Sequence, residues 1–299
     1  MLHDIAGGED KWRERPFVSN SNCFVVPPLR FATESCQVME EAVKAGMPVL
    51  LLSAGQAGAT APAAIAGAVA QALSEVIAGL IYVNAMKPGH PCIVGTWPFV
   101  SDLRTGAMSG GSGEQGLLTA ACAQMLQYYR LPGGAASGMA DAKMPDAQSG
   151  YEKGSTLVMA GLSGLNMVYE AAGMHASLLG FCLESLIIDN DMLGQWLRCV
   201  RGIEVNDDTI GIQVMKDVCM GGPGHYLGHE QTIGLMQTEY AYPQLSDRSS
   251  PKEWEELGKP NLVAEAVKRK MQILSDFNPQ HIPVDLDAHL RATYDIRLG

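Results

Sequence analysis

Residues Val49–Ser53 read VLLLS, five positions with no alternation between apolar and polar side chains, set between Gly46 and a loop of small residues. A strand with one wet face alternates with a period of two, whereas a strand covered on both faces reads as a continuous apolar run. Four other short segments have strand character: Cys23–Val26, Pro91–Thr96 (PCIVGT), Gly133–Gly138 and Leu165–Glu170 (LNMVYE). Helical patterns separate and follow them. They are Phe31–Ala45, a long Ala-rich stretch opening at Thr60 and Pro62, Glu114–Tyr129, a helix from about Asp146, and Leu183–Val200. Five strand–helix alternations predict an α/β protein with a parallel sheet, either barrel or doubly wound. A full barrel needs eight such units, typically in about 250 residues. Five units leave either overlooked strands or a chain without the front of a barrel.

The flanks are less patterned. The opening, through Pro16, reads as a charged connector. Beyond Gly202 the expectation is a helix over Asp207–Val218, a turn at GGPGHYLGH and a helix over Glu230–Glu239. From Tyr240 the chain is more charged and punctuated by proline, with a helix near Asn261–Ser275. The expected division is 1–240 for the α/β domain and 241–299 for a helical tail. A net charge of −11, with no large Lys/Arg cluster, speaks against nucleic acid and against an acidic membrane surface. Seven scattered cysteines without C-x-x-C spacing point to reduced thiols, hence to a cytoplasmic protein without a structural zinc. Ala61–Val83 is very apolar, but Gln71, Ser74 and Glu75 interrupt it, as suits a buried helix rather than a membrane span.

The polar chemistry gathers in Leu131–Glu152, LPGGAASGMADAKMPDAQSGYE. Small residues suit a strand that backbone or ligand approaches closely. Pro145 then starts a new helix. Asp141, Lys143, Asp146 and Gln148 therefore fall on a strand-to-helix loop, where α/β proteins concentrate function. Glu170 directly follows LNMVY, at what would be the functional end of a strand, with His175 five residues on. Trp97, Phe99, Tyr151 and Tyr169 are candidates to line a pocket for a quaternary ammonium ion. Two other motifs read as structural. Gly110–Gly113 (GGSG) lacks the lysine and register of a phosphate loop, and His225 and His229 flank glycine in a turn without a third ligand, so no metal site is expected.

Three long phrases, GTWPFVSDLRTGAMSGGSGEQ, GGAASGMADAKMPDAQSGYEKG and GGPGHYLGHEQTIGLMQTEYAYPQLSDR, resemble the trimethylamine methyltransferase family of corrinoid-dependent enzymes. The similarity runs from about Ile5 to Asp247. It implies a TIM-type (β/α) barrel of which this chain is the C-terminal part, lacking the N-terminal strands. In methanogenic members a pyrrolysine occupies the segment matching SGMADAK. Anchoring on Asp141-Ala142-Lys143 places Met139 there. A thioether cannot form the adduct expected of pyrrolysine's imine, which points away from trimethylamine and toward a quaternary amine such as glycine betaine.

The chemistry agrees with that shift. A quaternary ammonium leaves as a neutral amine, so the protein has only to orient one methyl group toward a nucleophilic cobalt. The expected catalytic residues are Glu170, Asp141 and Met139, with the two carboxylates at the cationic end. Trp97 and Tyr151 are expected to wall the site, and Arg104, Lys143 or His175 to bind the substrate carboxylate. The resemblance implies a corrinoid (cobalamin) carried by a separate partner protein, since no D-x-H-x-x-G motif occurs here. Open sheet edges predict a homo-oligomer or pairing with a missing segment. The rival reading is a non-catalytic binder of betaine-like ligands.

Overall fold

A computed structural model describes residues 1–276 and 281–297. Its centre is a five-stranded parallel sheet of β1 (Asn20–Cys23), β2 (Val49–Ser53), β3 (Cys92–Thr96), β4 (Gly133–Ala136) and β5 (Met167–Tyr169). Spatial order equals chain order, and each strand pairs in parallel with the next. The register aligns the strand ends: Ser53 faces Thr96, Thr96 faces Ala135, and Ala136 faces Tyr169. The crossovers are α1 (Thr33–Lys44), α2 (Ile65–Met86), α3 (Gly113–Tyr128) and α4 (Ala147–Leu162), and α5 (Leu183–Arg201) follows β5. Consecutive helices pack on one another from α1 to α5. A doubly wound sheet would reverse its strand order midway. This one does not. Nor does any described strand close it into a barrel, so β1 and β5 keep free edges.

The apolar pattern accounts for the layers. β2 is buried along its whole length, as its unbroken apolar run requires. Val49 and Leu51 pack with Met39 and Val43 of α1 and Val83 of α2, and Val94 of β3 packs with Leu73, Val76 and Leu126. Although α2 is long and apolar enough to cross a membrane, its buried face packs against β2 and β3. Glu75 lies in the middle of that face. Its carboxylate accepts hydrogen bonds from the Leu29 amide at 2.8 Å, Gln71 Nε2 at 3.1 Å and the Ser53 hydroxyl. A charge on an apolar helix is thereby used to tie α2 to the loop after β1 and to the end of β2.

Several sequence expectations are revised. The first strand of the sheet is Asn20–Cys23 rather than Cys23–Val26, and Val25–Val26 pairs outside that sheet with Arg30–Phe31. The opening is not a connector: Leu2–Ala6 and Glu9–Glu14 are helices, held by Trp12, which is buried and donates its indole N–H to Ala45 O at 2.9 Å. Thr60 does not cap α2. Its hydroxyl accepts from the Gln56 amide in a tight turn, and the helix starts at Ile65. Asp207–Val218 breaks into Asp207–Ile210 and Ile212–Cys219, because Gly211 takes a left-handed conformation (φ 68°) between them. Near the C-terminus, the helix Leu262–Asp276 packs on α5, with Lys270 paired to Glu184.

Replacing Glu75 with alanine leaves the Leu29 amide and the Ser53 hydroxyl without their acceptor. We expect a loss of about 1–3 kcal/mol, read as a lower urea midpoint at unchanged slope. An unchanged midpoint would mean that water replaces the carboxylate at no cost.

Candidate functional site

In a parallel sheet every loop that follows a strand emerges at the same end. Here those loops are 24–32, 54–64, 97–112, 137–146 and 170–182. Short antiparallel pairings brace them: Val25–Val26 with Arg30–Phe31, Phe99–Ser101 with Met108–Ser109, and Met174–His175 with Gly180–Phe181. At their base lies an apolar cluster of Phe99, Ala136 and Met139, flanked by Trp97, Tyr169, Met108, Met174 and Leu178. The Trp97 ring meets Tyr169 edge to face at 5.8 Å and Phe99 at 5.2 Å. Tyr169 donates its hydroxyl to Thr96 O at 3.3 Å, and burial pushes its pKa upward. Met139 is 0% exposed. The cluster is packed shut, yet the buried Trp97 Nε1 has no acceptor among the described residues.

Two carboxylates hold the loop after β4. Glu152, one turn into α4, accepts from the amides of Asp141 at 2.7 Å and Ala142 at 3.2 Å, and from Gln148 Nε2 at 2.8 Å. Asp141 in turn reaches both neighbouring loops. Its carboxylate accepts from Ser109 Oγ at 2.5 Å and the Gly110 amide at 2.8 Å, and from Ser177 Oγ at 2.6 Å. Gly110 and Gly111 of GGSG are explained by close packing against this loop and α4 rather than by a phosphate. A Cβ on Gly110 would lie 3.1 Å from Met139 Cβ, and one on Gly111 would lie 2.8 Å from Glu152 Cβ.

Glu170 follows β5 in the left-handed region (φ 61°), as do Ala176, Ser177 and Leu178. Such conformations cost about 1–3 kcal/mol each and persist only where the surroundings over-determine them. Glu170 is half-buried, and its carboxylate has no ion-pair partner among the described residues.

Behind this loop lies a charged group that the sequence pattern did not reveal. Lys153, 1% exposed, pairs with Asp189 of α5 at 2.6 Å, and Asp189 also accepts from the Gly173 amide at 2.7 Å. His175 is 3% exposed. Its Nδ1 faces Ala142 O at 3.1 Å, while Nε2 lies 2.5 Å from Ser185 Oγ and 3.4 Å from Lys153 Nζ. A carbonyl oxygen only accepts, so the network assigns the proton to Nδ1. Burial, with the Lys153 ammonium second, holds His175 below its ordinary 6.5. Its contribution to stability is therefore complete above that pH and is lost as the pH falls below it.

The structure thus brings Met139, Asp141, Trp97 and His175 together at one end of the sheet, with Glu170 on the same loop as His175. It does not bring in the rest. Tyr151 is 66% exposed on α4. Arg104 is 88% exposed and bonds to Asp102, holding that carboxyl at about 2. Lys143 is exposed and donates to Asp141 O at 2.6 Å. Tyr169 and Phe99 take the place beside Trp97 that Tyr151 does not. Among the described residues no group of three or more metal-ligating side chains occurs.

Removing one partner of a buried ion pair leaves the other uncompensated. Lys153→Met is therefore expected to destabilise the fold by about 3–5 kcal/mol in urea unfolding, far more than removing the exposed Lys143. Equal effects from the two would contradict the burial described.

The model of the trimethylamine methyltransferase (MTTB) family matches residues 1–297. Trimethylamine methyltransferase MttB of Desulfitobacterium hafniense is 33% identical over 292 residues, 98% of this chain and 58% of the relative. A glycine betaine methyltransferase of the same species is 33% identical over 289 residues, covering 96% and 59%. Trimethylamine methyltransferase MttB of Methanosarcina thermophila is 32% identical over 281 residues, covering 94% and 57%. The chain spans under three fifths of the length of these relatives. With a match along nearly all of its own length, it belongs to the trimethylamine methyltransferase family.

Proposed function

We propose that this chain belongs to a corrinoid-dependent methyltransferase that moves a methyl group from a quaternary amine, glycine betaine or a close analogue, to a corrinoid protein. The observation that carries the reading is the aromatic and methionine cluster at the loop end of the sheet, with Glu170, which follows Tyr169 in the chain, lacking an ion-pair partner among the described residues. Trp97, Phe99 and Tyr169 offer ring faces to a cation that cannot be neutralised. Glu170 offers the opposite charge, and the Trp97 N–H a donor for the substrate carboxylate. Asp141 acts by holding Met139 between the two neighbouring loops. Arg104 and Lys143, both exposed, would meet the substrate only at the rim.

Identity does not separate the two substrates, since relatives named for each stand at 33%. Chemistry favours the quaternary amine. The one proton-bearing group among the three rings besides the Trp97 N–H is the Tyr169 hydroxyl, which is engaged with Thr96 O and made less acidic by burial. A leaving group that departs as a neutral amine needs no acid. When docked, the corrinoid supplies a nucleophilic cobalt, and this chain's part is to bind the amine and aim one methyl group. The family resemblance places the corrinoid on a separate partner, and His175, the one histidine in the five loops, has both nitrogens engaged within the chain. Exposed Leu29, Leu103, Met144, Leu179 and Phe181 form an apolar rim at that end where such a partner can dock.

We further propose that the sheet is an arc of a TIM-type (β/α) barrel. The unreversed strand order and the succession of helices support this, and further strands would join at the free edges of β1 and β5. Exposed Ile203, Val205, Leu227 and Ile233 suit association with another chain. The free thiols suit a cytoplasmic setting.

Calorimetric titration with glycine betaine tests the reading. Trp97→Ala and Glu170→Ala are each expected to weaken binding about tenfold or more. With the corrinoid partner, the cobalt spectrum should change from Co(I) to methyl-Co(III). Binding without that change would favour a non-catalytic binder, and unchanged affinity in both variants would remove the site.

A further inference from the structure

The loop after β5 combines three features. It is strained, with Glu170, Ala176, Ser177 and Leu178 all left-handed. It covers the aromatic cluster, because Met174 and Leu178 pack on Phe99, Ala136 and Met139. It is also fastened to the loop after β4 by three backbone hydrogen bonds. The Ala176 amide donates to Ala142 O at 3.0 Å, the Ser177 amide to Ala140 O at 3.1 Å, and the Ala140 amide to Met174 O at 3.3 Å. Around these, His175 reaches Ala142 O, Ser177 reaches Asp141, and Asp189 holds the Gly173 amide. A strained segment held by a handful of backbone and side-chain bonds is the kind of element that switches between a fastened and a relaxed arrangement. With the loop fastened, Met139 is sealed and the Trp97 N–H has no acceptor among the described residues. Met174 and Leu178 of this loop lie against the cluster that contains Met139, so lifting the loop uncovers that cluster.

We propose that residues 170–182 form a latched cover over the aromatic and methionine cluster, and that His175 is the positioning residue that latches it through its Nδ1–H bond to Ala142 O. Lys153 of α4 and Asp189 of α5 set the latch. The ammonium beside Nε2 opposes a second proton on the ring, and the carboxylate fixes Gly173 at the hinge. The charged groups facing the imidazole are Lys153, Asp189 and, at the start of α4, Asp146. A ring protonated at both nitrogens would set cation against cation and loosen the cover. The occupant of the cluster, though not the latch, rests on the quaternary-amine reading above.

Hydrogen–deuterium exchange tests the latch on the chain itself. Asparagine places an N–H where Nδ1 stands, whereas glutamine places one where Nε2 stands. His175→Asn should keep the Ala140, Ala176 and Ser177 amides protected. His175→Gln should speed their exchange about tenfold or more, with the β2 and β3 amides unchanged in both. Should His175→Gln not fold, the wild-type chain serves. Lowering the pH from about 7.5 to about 5.5 should release the same three amides ahead of the sheet, after correction for intrinsic exchange. Equal protection in the two variants, or loss spread evenly through the sheet, overturns the proposal. In a second arm, His175→Gln should raise both the association and dissociation rates of glycine betaine with little change in affinity, since opening is eased in both directions. If the wild type binds no glycine betaine, the substrate class fails while the exchange result still decides the latch.

Discussion

Asp141 and Glu152 act in series. Glu152, carried on the rigid first turns of α4, takes two backbone amides of the loop after β4 and so sets the orientation of Asp141. Asp141 then takes donors from the loops on either side. Three segments far apart in the chain are thereby referred to one helix. Hydrogen bonds to ionised groups are stronger than those between neutral ones, and several converging on one carboxylate leave it little freedom. The Ser109–Gly110 turn and the left-handed Ser177 are both bonded to Asp141, and Met139 lies two residues before it. A carboxylate already receiving three donors is poorly placed to serve as a free counter-ion, so Asp141 holds the residues around the substrate rather than contacting it.

The sheet makes that arrangement possible. Its strands run parallel and in unreversed order, so five loops converge at one end with no contribution from the other. The aligned strand ends put Tyr169 and Ala136 in register, and Trp97 follows directly after Thr96. Close packing at the base leaves the cluster shut, and the strain stored after β5 supplies a route by which it opens. Affinity for a cation and access to it are thus set by different residues: ring faces and Glu170 for the first, His175 and its buried ion pair for the second.

Much of this was legible in the chain. Unalternating VLLLS declared a strand covered on both faces, and GGAA declared one that neighbours crowd. Asp146 and Pro145 marked the start of α4, where Asp146 does accept the Ser149 amide. The reasons for the misses are local. The opening helices are short and charged, and their one buried side chain, Trp12, has no periodic companions. Lys153 and Glu152 sit among helix residues where charge normally means solvent, and no pattern distinguishes a buried lysine from an exposed one when its partner, Asp189, is 36 positions away. Tyr151 and Tyr169 look equivalent as aromatic residues near loops. Only the register of β5 with β4 shows that one points to the cluster, while the other rides on the wet side of α4. The left-handed run Ala176–Leu178 contains no glycine, so its conformation is imposed by the bonds around it rather than by residue type.

A permanently charged amine held among Trp97, Phe99, Tyr169 and Met139 places its N-methyl protons against those side chains. Intermolecular nuclear Overhauser effects between the N-methyl protons of glycine betaine and selectively labelled methionine and aromatic side chains read that placement. Transfer to the Met139 methyl group and to the rings of Trp97 and Tyr169 is expected. Bound glycine betaine with transfer only to side chains outside that cluster would rule the placement out.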